Sequence, residues 1–199
     1  ACLCERLGID FGEVARFANR HPRVNVHAAG PGVGGHCIPV DPWFLTESSP
    51  DEARLIRQAR ERNNGMPAHV VAVTQKLLAQ VQPPAKVAVL GVAYKGNVDD
   101  VRESPALRVV ALLEAAGLRV AVHDPHVRQA ACTLGPLGEA IDGADCLLIL
   151  TDHDAWLALE PEAVGQRMRT RIVFDTRRAL DRTAWTEAGF LVRILGKGN

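Results

Sequence analysis

A chain of 199 residues with 23 basic and 23 acidic side chains has no formal net charge, which argues against nucleic acid or an anionic membrane surface as partner. It holds no apolar run of about eighteen residues, so no membrane span is expected, and no charged-then-apolar secretion signal opens it. Five scattered cysteines (2, 4, 37, 132 and 146) form no pair of C-x-x-C knuckles, which speaks against structural zinc and fits reduced thiols in the cytoplasm.

Ala1–Leu7 reads as the last turns of a helix stopped by Gly8. No initiator Met precedes it, so we expect a piece of a longer protein whose remainder lies upstream. Asp10 is placed to cap a helix over Phe11–Asn19, with Phe11, Val14, Ala15 and Ala18 on its inner face. Arg20-His21-Pro22-Arg23 ends it, and reads either as solvated surface or as an anion clamp. Val24–His27 has the pattern of a short strand.

Gly30–Trp43 follows, with four glycines and three prolines, and predicts a shaped, stiff loop rather than a helix or strand. Gly30, Gly32 and Gly35 spell G-x-G-x-x-G. That pattern cradles a dinucleotide only between a strand and a helix, and Pro39 and Pro42 follow too soon for the helix. At the loop's centre Cys37 is either a nucleophile or a small buried filler, and Asp41 lies four residues on.

Ser49-Pro50-Asp51-Glu52 predicts a helix start, and the helix runs to Asn63-Asn64-Gly65. A further helix runs from Pro67 to about Gln80, with Val70, Val71, Thr74, Leu77 and Leu78 as its stripe. Gln82-Pro83-Pro84 reads as a linker dividing region 1–82 from region 83–199. Beyond it strands and helices alternate: strand Lys86–Leu90, helix from Ser104-Pro105 to Ala116, strand Leu118–His123 and a short helix near Leu137–Ile141. Strand Asp145–Thr151, a polar loop and helix over Asp152–Met168, strand Arg171–Asp175, a segment around Trp185 and strand Phe190–Ile194 complete it. His123 and His126 flank Asp124-Pro125 and share no helix face, so a turn role is expected rather than metal ligation.

The expected fold is therefore α/β: a Rossmann-like, doubly wound parallel sheet preceded by a small helical region that carries the cysteine loop. Ligands in such sheets sit beyond the strands' carboxyl ends. Those ends offer Tyr94, Lys95, Asp99, Asp100 and Arg102, then Thr151-Asp152-His153, then Thr176-Arg177-Arg178. Lys95, Arg102 and Arg177 would suit a diphosphate, although solubilising surface explains them equally well.

Three stretches resemble the UDP-glucose/GDP-mannose dehydrogenase family: Asn-Arg-His-Pro-Arg-Val (19–24), Gly-Val-Gly-Gly-His-Cys-Ile-Pro-Val-Asp-Pro-Trp (32–43) and Gly-Val-Ala-Tyr-Lys-Gly-Asn-Val-Asp-Asp-Val-Arg-Glu-Ser-Pro (91–105). The resemblance covers essentially the whole chain. It implies an NAD-dependent, four-electron oxidation of a UDP-sugar alcohol to a carboxylate, supplying cell-surface polysaccharide precursors. It also implies an upstream domain that holds most of the NAD, a homodimer in the longer enzyme, and no activity of this chain alone. By position, Cys37 would be the nucleophile and Asp41 a handler of protons or water. His21 and Arg23 would bind substrate, reaching across the dimer, and Gly34 would let backbone approach the sugar. Tyr94 and Lys95 would contact the nucleotide sugar, Arg102 the NAD, and Arg177 (or Arg178 one place on) the substrate. A thiol of ordinary pKa is only a few per cent thiolate at neutral pH, and a nearby carboxylate disfavours ionisation further. That is why Asp41 is assigned to water or protons and not to thiol activation.

Overall fold

A computed structural model of the protein describes residues 1–198; Asn199, the last position of the expected second region, lies outside the described residues. Two short helices open the chain. Helix α1 (Cys2–Leu7) stops at Gly8, and α2 (Phe11–Ala18) is capped by Asp10, whose carboxylate accepts the Gly12 N–H at 2.7 Å. The strand expected at Val24–His27 does not form. The carboxamide of Asn19 takes both backbone groups of Val26 instead, at 2.6 and 3.0 Å, so the segment is satisfied without a sheet partner and stays exposed.

The glycine loop gives way to helix sooner than its prolines suggested. Helix α3 (Asp41–Ser48) begins two residues after Pro39 and carries Pro42 in its first turn, where a missing N–H costs nothing. Ser49-Pro50-Asp51-Glu52 is a turn and not a helix start. The Ser49 carbonyl accepts the Ala53 N–H, and α4 (Arg54–Asn64) begins beyond it with no side-chain cap. Helix α5 (Met66–Leu77) then leads to the sheet.

The sheet is built from β1 (Lys86–Leu90), α6 (Pro105–Ala115), β2 (Arg119–His123), α7 (Leu137–Ile141) and β3 (Cys146–Ile149), followed by a 3-10 turn at Asp154–Ala158. Then come α8 (Pro161–Arg167), β4 (Ile172–Asp175), α9 (Arg182–Glu187) and β5 (Leu191–Ile194). All five strands run parallel in the order β2-β1-β3-β4-β5. Side chains alternate between two apolar layers. Val87, Val89, Cys146, Leu148 and Phe174 face α5 and α6, while Ala88, Leu90, Leu147, Ile149 and Val173 face α7, α8 and α9. Burial on both faces explains why β1 and β3 read as unbroken apolar runs. Each fully buried Leu or Phe contributes roughly 1.5–3 kcal/mol.

Helix α5 joins the first of these layers. Val70, Val71 and Leu78 pack with Val87, Val109 and Leu113, so the core continues across the Pro83-Pro84 linker. Chain reversal between β1 and β3, with crossovers on opposite faces, opens a crevice beyond their carboxyl ends. Among the described residues no helix is long and apolar enough to cross a membrane.

Candidate functional site

Three loops meet at that crevice. The first leaves β1 at Gly91 and carries Tyr94, Lys95 and Arg102. It is fastened from below by two buried side chains, Asp124 and His153, that sequence reasoning placed only as a turn residue and a strand-end residue. Asp124, at the end of β2, accepts the Val92 and Ala93 N–H groups at 2.7 and 3.2 Å, and those of His126 and Val127 at 2.9 and 3.0 Å. His153, fully buried, accepts the Asn97 N–H at Nδ1 (2.9 Å) and therefore donates from Nε2 to Asp124 (3.0 Å). Burial alone would raise the Asp124 pKa. The donors from His153, Val92, His126 and Val127 outweigh it and hold the carboxyl well below its ordinary range. The only sequence signal was Asp-Pro after an apolar strand and a histidine after another, which turn chemistry explains equally well.

The second loop follows β4. Arg177 reaches back over the crevice, its guanidinium on both oxygens of Asp152 (3.1 and 3.2 Å) and on the Ala29 carbonyl (3.4 Å). Arg178 turns away and pairs with Asp10 of the α2 cap. The two neighbours are thus told apart: Arg177 faces the glycine loop, and Arg178 fastens the helical region.

The third loop is Gly30–Val40. Asn63 on α4 holds it like a strand partner, accepting the Val33 N–H at 2.8 Å and donating to the Val33 carbonyl at 3.3 Å. At Gly34 a Cβ would lie 2.3 Å from the Glu103 carbonyl oxygen, so only glycine lets this backbone press against the β1 loop. Gly35, at φ 99°, brings the chain under the Tyr94 ring. His36 reaches across to Asp100 (2.7 Å), and its ring lies 5.7 Å from that of Tyr94. Hydrogen bonds from the Arg102 guanidinium, aided by His36, hold the Asp100 carboxyl well below the usual carboxylate range.

Cys37 emerges at the end of this loop, exposed. Its carbonyl accepts the Val40 and Asp41 N–H groups at 3.0 and 2.8 Å, which starts α3. Among the described residues its thiol has no hydrogen-bond partner. The filler reading of Cys37 is therefore wrong: the sulfur opens on a broad, shallow depression of about 710 Å³ that it shares with Asp41 and the apolar Ile38, Phe44, Leu45 and Ile56. A catalytic pairing with adjacent His36 is not built, because that ring is committed to Asp100.

Of the other candidates, Lys95 is exposed and in no ion pair among the described residues, whereas Arg102 and Arg177 are each paired with a carboxylate. His21 and Arg23 stand apart on the exposed segment after α2, where the His21 ring accepts the Arg23 N–H at 3.2 Å. Tyr94 and Arg177 line one small cleft with Gly32 and Pro105, and Gly34 presses on Glu103 and Pro105 at its edge; among the described residues no hydrogen bond joins His21 or Arg23 to them. Elsewhere, Cys2, Glu5 and His69 cluster with ligand atoms within 4.8 Å of one another. Glu5 is already taken up by His69 (2.7 Å), Arg193 (3.4 Å) and the Gly196 N–H (2.9 Å), so this cluster fastens α1 to α5 and β5.

Comparison with known proteins places the chain in a family. Residues 1–65 match the central domain of the UDP-glucose/GDP-mannose dehydrogenase family, and residues 88–182 match its UDP binding domain. The UDP-N-acetyl-D-mannosamine dehydrogenase of Methanococcus maripaludis is 41% identical over 202 residues, covering 100% of this chain and 47% of that protein. The protein of the same name from Salmonella typhimurium is 45% identical over 189 residues, covering 88% of this chain and 44% of its own. The solved structure of the Pyrococcus horikoshii UDP-D-ManNAc dehydrogenase superposes with a TM-score of 0.89 at 38% identity, over 99% of this chain and 46% of that one. The chain thus spans about half the length of these relatives. With both domain patterns in order and the backbone matched along nearly its whole length, the chain belongs to the UDP-glucose/GDP-mannose dehydrogenase family.

Proposed function

We propose that this chain is the cysteine-loop and nucleotide-sugar-binding part of an NAD-dependent UDP-N-acetyl-D-mannosamine 6-dehydrogenase, acting in the cytoplasm on precursors of cell-surface polysaccharide. The observation that carries the reading is the exposed Cys37 thiol, set at the start of α3 with Asp41 one turn on, in a loop pressed against the β1 loop that bears Tyr94 and Lys95. Relatives matching the whole chain at 41% identity carry that activity in their names. UDP-glucose is the alternative substrate.

In this reading Lys95 and Arg177 grip the pyrophosphate and Tyr94 and the Gly34 backbone position the sugar. His21 and Arg23 reach the neighbouring protomer's site. The exposed Leu3, Leu7 and Phe17 on α1 and α2 supply apolar surface for a homodimer. Region 1–82 presents the thiol and region 83–199 holds the nucleotide. The residue assigned to NAD, Arg102, fits that role: its side chain is 67% exposed, held at a fixed angle by Asp100, and offers its outer edge to a phosphate. NAD, where bound, would supply the acceptor for the hydride lost at each of the two oxidations, with Arg102 among the residues that would hold it.

Cys37 acts between them. Its sulfur adds to the C6 carbonyl carbon of the aldehyde, and the carbonyl oxygen takes a proton, giving a thiohemiacetal. Loss of hydride from that carbon and of the hydroxyl proton leaves a thioester. Asp41 orients the water that attacks it, and the C–S bond breaks to release carboxylate and thiol.

The test uses a full-length protein containing this chain, with NAD and either UDP-N-acetylmannosamine or UDP-glucose, and counts NADH per sugar. Wild type yields two, and Cys37→Ala forms no carboxylate. Carboxylate at wild-type rate from Cys37→Ala overturns the assignment. For the chain by itself we favour a second reading, UDP-sugar binding without turnover, because the depression at Cys37 stands open to solvent.

A further inference from the structure

A second hollow lies on the other side of the glycine loop from the crevice. Gly32 and Pro105 line the Arg177 side, while Val33 and the same Pro105 line this one. It encloses about 290 Å³ between the end of α4, the start of α5 and the first turn of α6. Arg60 points into it and is only 7% exposed. Its Nε is buried with no partner, and Nη2 donates to the neutral Asn64 carboxamide at 3.0 Å. Among the described residues no carboxylate pairs with it. A guanidinium taken out of water without a counter-charge is strongly disfavoured.

The surroundings add positive potential. Arg108, likewise in no ion pair among the described residues, lines the hollow from α6. The eleven-residue α6 turns its N-terminus toward it, with Ser104 capping the Ala106 N–H at 3.3 Å. Glu103 is the one acidic side chain on the wall, and it pairs with neither arginine. We propose that this hollow is an oxyanion site, taking a single phosphate group on Arg60 and Arg108, separate from the pyrophosphate rim of Lys95 and Arg177.

The probe is inorganic phosphate, titrated into the protein at fixed ionic strength while its melting temperature is followed. At ten times its Kd, phosphate raises Tm by roughly 3–6 °C, saturably. Arg60→Met loses that rise while its own Tm is no lower than wild type, since an apolar chain replaces an unpaired buried charge. Arg108→Ala, a surface change that folds whatever happens at Arg60, weakens phosphate binding several-fold. No saturable rise in wild type, or an undiminished one in Arg60→Met or Arg108→Ala, overturns the proposal. A rise that vanishes in Lys95→Ala and survives in Arg60→Met places the phosphate on the nucleotide rim and overturns it as well. Failure of UDP to bind at that rim would leave the Arg60 result untouched.

Discussion

Asp124 and Asp175 are the same residue type at equivalent places, each buried at the carboxyl end of a strand, yet their acidities move in opposite directions. At Asp175 burial dominates and pushes the carboxyl up, despite hydrogen bonds from the Arg177 and Leu180 N–H groups. At Asp124 burial is outweighed by His153 and four backbone donors, and the carboxyl is held down. The sign for stability follows. A depressed folded pKa contributes stability that is present above the unfolded value, about 3.9, and is lost as pH falls through the folded one. Urea melts between pH 7 and pH 3 should therefore show wild type losing stability below about pH 4, and Asp124→Asn should start less stable and lose less. An acid loss as steep in the variant as in wild type would show that the His153 pair does not carry it. Cys37 and Arg177 could be singled out as candidates at this scale because a family pattern marks them. The Asp124–His153 pair was not: its members stand 29 positions apart, and only folding puts them 3.0 Å from each other.

At the scale of elements, the cysteine loop owes its shape to neighbours that are remote in sequence. Asn63 on α4 supplies Val33 with both halves of a strand-like pair, across 30 residues of chain. Removing that carboxamide should cost about 1–2 kcal/mol, because two partly exposed hydrogen bonds return to water. It should also let the Cys37 turn drift while Tyr94, Lys95 and Arg177 stay in place. The expected outcome for Asn63→Ala, measured in a full-length protein, is a kcat about 10-fold to 100-fold lower with UDP affinity unchanged. Equal loss of both would mean that the loop and the nucleotide rim are one unit. Helix limits were read well where a cap spoke plainly, as at Asp10 and Ser104. They were misread at Ser49–Glu52, where the preceding α3 was itself unforeseen and took Ser49 as its end. The expected strand at Val24–His27 failed for a different reason: a strand needs a partner, and the side chain of Asn19 took its place.

The whole molecule is held by one sheet whose helices divide between two faces, and α5 belongs to it although it precedes the Pro83-Pro84 linker. A chain beginning at Pro83 would expose the layer that Val70, Val71 and Leu78 cover. It should melt well below a chain beginning at Met66, and equal cooperative melting of the two would show that α5 adds nothing to the core. From the sequence alone came the parallel α/β class, the strands to within a residue or two and the family. Each rests on local information: apolar runs of strand length, caps, turn residues and short motifs. The tertiary structure decided which of two adjacent arginines faces the crevice, that Cys37 is open to solvent, that α5 closes the core and that Arg60 is buried without a counter-charge. Those depend on distances between segments far apart in the chain, and no local pattern of residues encodes a distance across a fold.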